Sequence, residues 1–131
     1  MNFVISADSI LSDLAMMSSA DSEMVNSMTT AIEVLQYTLK PGTGAAFHDV
    51  MKNQSVPLHR QCGVNILRFG NSLHDPDQYY LVRSFQNVSK MEEQLTQFYA
   101  DPRWREGPRS AIISMICDSH RVVMPGESLA K

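Results

Sequence analysis

In two places along this sequence a strand-like pattern of apolar residues gives way to a helical one, and these two changes constrain what the chain can fold into. Residues 31–40, "AIEVLQYTLK", have the β-branched and aromatic content of a strand, and the turn "PGTG" ends that strand. From Thr43, a candidate N-cap, the pattern becomes helical, and Gly63 stands where a helix C′ residue is expected. The stripe of this first helix comprises Phe47, Val50, Met51, Gln54 and Leu58.

The second half repeats the pattern with two strands before its helix. "VNILRFGNSL" and "QYYLVRSFQN" are predicted strands, separated by the turn signal "DPD" at residues 75–77. Ser89 and Glu92 have capping-box spacing, Asp101 and Pro102 restart the helix, and the last strand is predicted from about Cys117. The order β-α-β-β-α-β predicts an α+β, ferredoxin-like domain with both helices on one face of a four-stranded antiparallel sheet.

The face of the sheet that the helices do not cover carries apolar residues in this prediction, among them Leu35, Leu67 and Val82. A bare apolar face of that size is unfavourable in water, and a second copy of the chain would cover it. We therefore expect a homodimer joined sheet against sheet.

Composition bounds the function classes. The chain has 131 residues with 44% apolar content, enough for one domain. Its net charge of −3 argues against nucleic-acid binding. Cys62 and Cys117 have no ligand spacing and are expected to be reduced. Residues 1–39 lack Lys and Arg, and no stretch reaches membrane-spanning length, so we expect a cytoplasmic protein without membrane insertion.

The first thirty residues differ in character from the rest, since they are rich in Ser and Met. After Ser6 and Asp8, helical spacing predicts a short amphipathic helix in this N-terminal arm, residues 1–30, through Ile10, Leu11, Leu14 and Met17. Met28 heads the recognisable domain, residues 31–125, so the segment upstream is either a functional arm or an over-extended start. Residues 126–131 are predicted to be a C-terminal tail.

His48 and His59 both flank the predicted helical stripe, and on an ideal helix they point within about 20° of the same direction. On an ideal helix they are roughly 16 Å apart along the axis, which excludes a shared metal ion. Pro57 removes an amide donor and predicts a kink or restart between them. Histidines that flank a stripe are most often half-exposed, and a ligand or general base is the alternative.

The predicted strands carry Arg68, Arg83 and Arg121, and a buried guanidinium needs a carboxylate or a ligand anion. The arginines either reach the rim of the sheet or pair with Glu33 across it, and the alternative is a small anionic ligand such as a carboxylate between sheet and helices. No metal site is predicted. The candidate pocket residues are Tyr37, His48, His59, Arg68, Arg83, Trp104 and His120.

Nucleophile and nucleotide motifs such as GxSxG, the P-loop, HExxH and GxGxxG do not occur in the sequence. Two stretches resemble the NIPSNAP family: "IEVLQYTLKPGTGAAFHDVM" and "FYADPRW", with "VPLHRQCG" similar to the family's end of the first helix. The resemblance covers about residues 31–125. It implies a dimeric α/β barrel, in which two ferredoxin-like subunits join their sheets, and it carries over no catalytic residues.

Relatives of this fold include haem-degrading and cofactor-independent monooxygenases, and they serve as analogies only. A haem enzyme needs a helix histidine, for which His48 or His59 is eligible, and a cofactor-free oxygenase needs a polarising group such as Trp104, a Tyr or a His. The main prediction is a homodimer that binds a small molecule between sheet and helices, without a cofactor. A monooxygenase, with haem as a possible cofactor, and a protein-interaction module are the alternatives, and the sequence leaves open whether the chain is an enzyme.

Overall fold

The computed structural model describes residues 29–129, and its side chains are described for residues 29–127. The predicted arm therefore lies largely outside the described residues. Four strands were expected, and the structure contains β1 Ala31–Leu39, β2 Asn65–Asn71, β3 Gln78–Phe85 and β4 Ile116–Pro125. A 3₁₀ turn, Gly126–Leu129, follows β4 at the start of the predicted tail.

The helices lie between β1 and β2 and between β3 and β4. The first helical segment consists of α1 Gly44–Val50, a π-helical turn Met51–Ser55 and α2 Val56–Gln61. The second consists of α3 Val88–Ala100, α4 Pro102–Arg105 and α5 Arg109–Met115. The predicted element order is thus confirmed.

All pairs in the sheet are antiparallel, and the strand order is β2-β3-β1-β4. The two central strands are the first and third in sequence, as the ferredoxin-like prediction requires. Alternation places Leu35, Tyr37 and Leu39 of β1 in the buried core with Phe47 of α1 and Leu95 of α3. The core therefore lies between one face of the sheet and the helical layer.

A clamp of two hydrogen bonds to Asp77 fixes the turn between β1 and α1. The Asp77 carboxylate accepts hydrogen bonds from the backbone N–H groups of Gly42 and Gly44, both at 2.9 Å. Thr43 precedes α1 as predicted, but its hydroxyl donates to the Lys40 carbonyl instead of capping the helix. The predicted "DPD" turn therefore supplies the cap for a helix more than thirty residues earlier.

The capping box predicted at Ser89 is wrong. The N-cap of α3 is Asn87, whose extended backbone lets its side-chain oxygen accept the Lys90 N–H at 2.8 Å. The helix therefore starts before Ser89, and Asn87 meets the N-cap requirement equally well. The restart at Asp101 and Pro102 is confirmed, since the Asp101 carboxylate accepts the Arg103 N–H at 2.8 Å.

Leu35 does not belong to the uncovered face, because it is 2% exposed and packs in the helix-side core. Leu67 and Val82 are on the uncovered face as predicted, where they line a groove of about 450 Å³ with Val34, Arg68 and Met124. Val122 of β4 is 56% exposed. The described part of the chain contains no helix long and apolar enough to cross a membrane.

Candidate functional site

The π-helical turn decides which residues of the first helical segment face the core. One additional residue in a helical turn rotates everything after it by about 100°. Phe47 before the turn and Met51 at its start face the core, as predicted, but Gln54 is exposed and Ser55 is buried in its place. In α2, Leu58 of the predicted stripe is buried as expected, and Val56 and His59 are buried beside it.

His59 is the most important consequence of this rotation. It was expected to be half-exposed, yet it is 2% exposed, because the π turn brings it to the sheet side of α2. Its Nδ1 lies 2.8 Å from the Ser55 carbonyl oxygen, and its Nε2 lies 3.0 Å from Nη1 of Arg83. A carbonyl only accepts and a guanidinium only donates, so Nδ1 carries the proton and Nε2 accepts.

This bonding pattern requires a neutral imidazole. Burial, reinforced by the positive charge of Arg83, lowers the pKa of His59 to about 3, against the opposing effect of its bond to Ser55. Both ring nitrogens are engaged, and the lone pair of Nε2 is directed at a cation. His59 in this arrangement does not fit the role of a haem ligand.

Arg83 lies at the centre of a buried polar cluster, which we define as Glu33, His59, Arg83, Tyr99 and Arg121. Nε of Arg83 donates to Glu33 Oε1 at 2.6 Å, and Nη1 donates to the Tyr99 hydroxyl at 3.0 Å. The other Glu33 oxygen, Oε2, accepts from Nε of Arg121 at 2.7 Å. The predicted pairing of strand arginines with Glu33 is thus correct for Arg83 and Arg121.

The charges in the polar cluster are desolvated. Glu33 and Arg83 have fully buried side chains, and Arg121 keeps 14% of its side chain exposed. Burial alone would raise the pKa of Glu33, but the charges and hydrogen bonds of Arg83 and Arg121 outweigh it and the pKa is lowered. Burial likewise raises the pKa of Tyr37, which packs in the same layer, so its phenol is protonated.

One donor of the polar cluster has no protein partner. Nη2 of Arg83 is buried and makes no hydrogen bond to any residue that the structure describes. Leaving a buried charged donor unsatisfied costs more than the roughly 1–3 kcal/mol of a neutral group. Arg83 therefore combines a firm anchor at Nε with an unused donor at the other end of the guanidinium.

Aromatic rings pack around His59, beside the polar cluster. The His59 ring centroid lies 4.1 Å from that of Phe98 at an interplanar angle of 32°. Phe98 also contacts Tyr99 and Trp104, at 5.2 and 5.3 Å between centroids. Trp104 is 8% exposed and belongs to the core.

The remaining candidate residues lie away from the polar cluster. His48 Nδ1 is 2.7 Å from the Tyr79 hydroxyl, beside Phe69. Arg68 lines the groove on the uncovered face. His120 is exposed and lies 3.4 Å from Asp118. The seven predicted residues therefore do not form one site, and no group of three metal-ligating side chains occurs among residues 29–127.

Sequence reasoning left three cluster members, Glu33, Tyr99 and Arg121, outside the candidate pocket. A signal for Glu33 was present, because it alternates with Ala31, Leu35 and Tyr37 and so shares their buried face. Arg83 likewise alternates with Leu81 and Phe85 in β3. An acid and a base with inward parity on neighbouring strands predict a buried ion pair.

Comparison of the sequence with protein-family models and with curated proteins gives no match. The fold, in contrast, matches solved structures. A NIPSNAP-like domain protein from Burkholderia xenovorans aligns with a TM-score of 0.68 at 14% identity, over 74% of this chain and 84% of that one. A NIPSNAP family protein from Agrobacterium tumefaciens has a TM-score of 0.68 at 19% identity, over 75% and 88%.

An inferred antibiotic biosynthesis monooxygenase from Nitrosomonas europaea has the same fold, with a TM-score of 0.58 at 12% identity over 73% of this chain and 97% of that one. The domain thus has the ferredoxin-like fold of NIPSNAP proteins and of this monooxygenase class. The resemblance to NIPSNAP proteins expected from the sequence is confirmed at the level of the fold.

Proposed function

We propose that this protein is a homodimer that binds a small molecule between its sheet and its helices. The observation that carries the binding function is Nη2 of Arg83, a buried charged donor without a partner among the described residues. A ligand acceptor at this atom would recover the free energy that the unsatisfied donor costs. Small-molecule sites typically combine a few such polar groups with aromatic walls, as Phe98 and Trp104 provide here.

The uncovered face of the sheet supports the homodimer. Leu67 and Tyr80 are each 39% exposed and Val122 is 56% exposed. Leu67 lines a groove on this face together with Val34, Arg68, Val82 and Met124. Burial of apolar area contributes about 25 cal/mol per Å², so two such faces packed together would be stabilised. The proposed cytoplasmic location rests on the composition alone.

Native mass spectrometry of protein purified gently from its own host tests the proposal. The expected result is a dimer that carries excess mass, and that mass would distinguish a small acid from haem. A dimer without excess mass, together with no binding of added ligands, would contradict the binding function. A monomer would contradict the assembly.

A cofactor-independent monooxygenase is the second candidate, supported by the fold shared with the Nitrosomonas europaea protein. Oxygen consumption with added phenolic substrates tests it. A rate that falls in a Trp104→Phe variant is expected for an oxygenase that uses this aromatic end of the layer. No consumption above the rate of buffer alone would contradict it.

The haem alternative has its own test. An enzyme that uses His48 as the axial ligand should shift the Soret band of added haemin, and the shift should disappear in His48→Ala. His59→Ala is the comparison variant, since both nitrogens of His59 already have partners. Identical spectra in all three proteins would remove both histidines from consideration.

A further inference from the structure

We propose that the ligand is a planar monoanion, a flat ring that carries one carboxylate, and that it binds in the slot now filled by the His59 imidazole. This inference rests on the proposed binding function and specifies its ligand class. In the bound state, the carboxylate takes the place of His59 on Nη1 of Arg83 and also accepts from Nη2.

Charge is the first argument for an anion. The polar cluster contains one carboxylate, Glu33, and two guanidinium groups, Arg83 and Arg121. His59 adds no charge, because Nδ1 donates to a carbonyl and Nε2 accepts from Arg83. One positive charge is therefore left uncompensated in a layer where charges need partners. A ligand with a single negative charge would balance it.

The guanidinium fork is the second argument. Nη1 and Nη2 form one end of a planar group, and a carboxylate can accept from both at once. The neutral His59 ring occupies only Nη1, at 3.0 Å, while Nη2 is unused. Replacement of the imidazole by a carboxylate would convert one neutral acceptor into a bidentate, charge-assisted pair.

The shape of the slot is the third argument. His59 is a flat ring that packs against Phe98 with 4.1 Å between centroids. Tyr99, whose ring lies 5.8 Å from Cζ of Arg83, and Trp104 extend the aromatic wall. A planar ring of similar thickness could stack on Phe98 in the same position. An aliphatic chain would leave much of this contact unmade.

The π-helical turn provides a route for the exchange. His59 faces the sheet because of the additional residue in Met51–Ser55, and its Nδ1 is bonded to Ser55 at the end of that turn. Relaxation of the π turn into α geometry would rotate α2 by about 100° and carry the imidazole away from Arg83. The same movement would expose Nη1 and Nη2 to the ligand.

Benzoate and benzamide form a matched pair of probes, since they share a planar ring and differ in charge. Binding to the full chain is measured by calorimetry and by the fluorescence of Trp104, the single tryptophan, which contacts Phe98. We expect benzoate to bind and benzamide to bind at least about tenfold more weakly. Equal affinities, or no binding of benzoate, would overturn the inference without any variant.

The His59→Ala variant tests the location of the site. It removes the competing ring, so benzoate should bind several-fold more tightly, and free imidazole should bind to the variant but not to the parent protein. His74→Ala is the matched control, because His74 is exposed and hydrogen-bonded only locally, to Ser72. An unchanged benzoate affinity in His59→Ala would place the ligand elsewhere.

The outcomes separate this inference from the proposed function. A neutral or polyanionic molecule found by native mass spectrometry, with no preference for benzoate, would leave the binding function intact and refute the ligand class. No adduct and no binding of either probe would refute both, and Nη2 of Arg83 would then hold a buried water only.

Discussion

Glu33 Oε1 accepts a hydrogen bond from Nε of Arg83 at 2.6 Å, with both side chains fully removed from solvent. The two residues face each other across the central strands β1 and β3, where they are direct register partners. A buried ion pair is weak evidence for stability, because desolvation of the two ions offsets their attraction. Removal of only one of the two partners is nonetheless strongly destabilising, because the other charge is left buried without a counter-ion. A single substitution therefore tests the role of the pair.

We predict that Glu33→Gln lowers the free energy of unfolding by about 3–5 kcal/mol, because Arg83 and Arg121 lose their only charged partner in the polar cluster. Urea denaturation measures the change. Glu93→Gln is the control, since the Lys90–Glu93 pair is more than half exposed, and it should change stability by no more than about 0.5 kcal/mol. Similar losses in the two variants would contradict the role assigned to Glu33.

The pH dependence of stability should report the buried state of His59. Its pKa is about 3 in the folded protein and 6.5 in the unfolded chain, so between these values only the unfolded state binds the proton. Stability is therefore expected to fall as the pH decreases through this range, by up to about 1.4 kcal/mol per pH unit.

The cleanest window lies between about pH 4.5 and 6.5. Glu33 faces the same polar cluster, and its lowered pKa affects stability in the same direction only at lower pH. Hydrogen bonds to Arg103 lower the pKa of Asp101 to about 2, so Asp101 also affects stability only at lower pH. Urea unfolding at a series of pH values should give a flatter profile in His59→Gln and an unchanged one in His74→Gln. Parallel profiles for parent and His59→Gln would be inconsistent with a buried neutral His59.

Gly44→Ala should disrupt the clamp between the two turns. A Cβ at position 44 would lie 2.1 Å from the Pro76 carbonyl oxygen, and backbone must move to admit it. We expect a loss of about 1–3 kcal/mol in thermal or urea unfolding, as is typical of overpacking.

Gly42→Ala is an informative comparison for the same turn. Nothing lies within 4 Å of a Cβ there, but the positive φ of 84° costs about 1–2 kcal/mol for a residue with a side chain. The stability losses of the two variants should therefore respond differently to a second substitution that loosens this turn. An Asp77→Ala background, which removes the carboxylate that holds the N–H groups of both glycines, should reduce the penalty of Gly44→Ala and leave that of Gly42→Ala unchanged. If Asp77→Ala changes the penalties of both glycine variants equally, contact with Pro76 is not the reason that position 44 requires glycine.

Val122→Lys should convert the proposed homodimer into a monomer. The lysine would place a charge on the uncovered face of the sheet, where burial without a partner is unfavourable. Light scattering after size exclusion measures the mass. Leu73→Lys is the control, because Leu73 is fully exposed in the connection between β2 and β3. A dimer that persists in Val122→Lys would exclude this face as the interface.

The sequence was sufficient to predict the layout of the domain because local signals and fold agree in most elements. The β-branched and aromatic content of β1 and β3 and the turns at "PGTG" and "DPD" are local features, and they led to the observed order of elements along the chain. The start of α3 was misplaced because Asn87 and Ser89 both satisfy the local requirement for an N-cap. The backbone conformation of Asn87, which decides between them, is not visible in residue types.

The site was harder to predict because its geometry depends on a single irregular turn. A regular helix from Thr43 onward puts Gln54 in the stripe and leaves His59 beside it, whereas with the π turn Gln54 is exposed and His59 is buried. Pro57 was a local sign of irregularity, but it did not indicate that the helix would widen before the proline. The contact between His59 and Arg83 depends on this rotation, so it could not be anticipated from spacing.

The π-helical turn also affects how this protein should be aligned with others. A homologue with a regular α-helix at the same place would have one residue fewer, and an alignment without a gap there would match His59 to a surface position of that homologue. In genetic terms, deletion of one codon among those for Lys52, Asn53 and Gln54 is equivalent to removing the turn. A single in-frame deletion on the exposed side of the helix would then leave a regular α-helix that keeps His59, some 5 to 7 positions further along the chain, on its buried face.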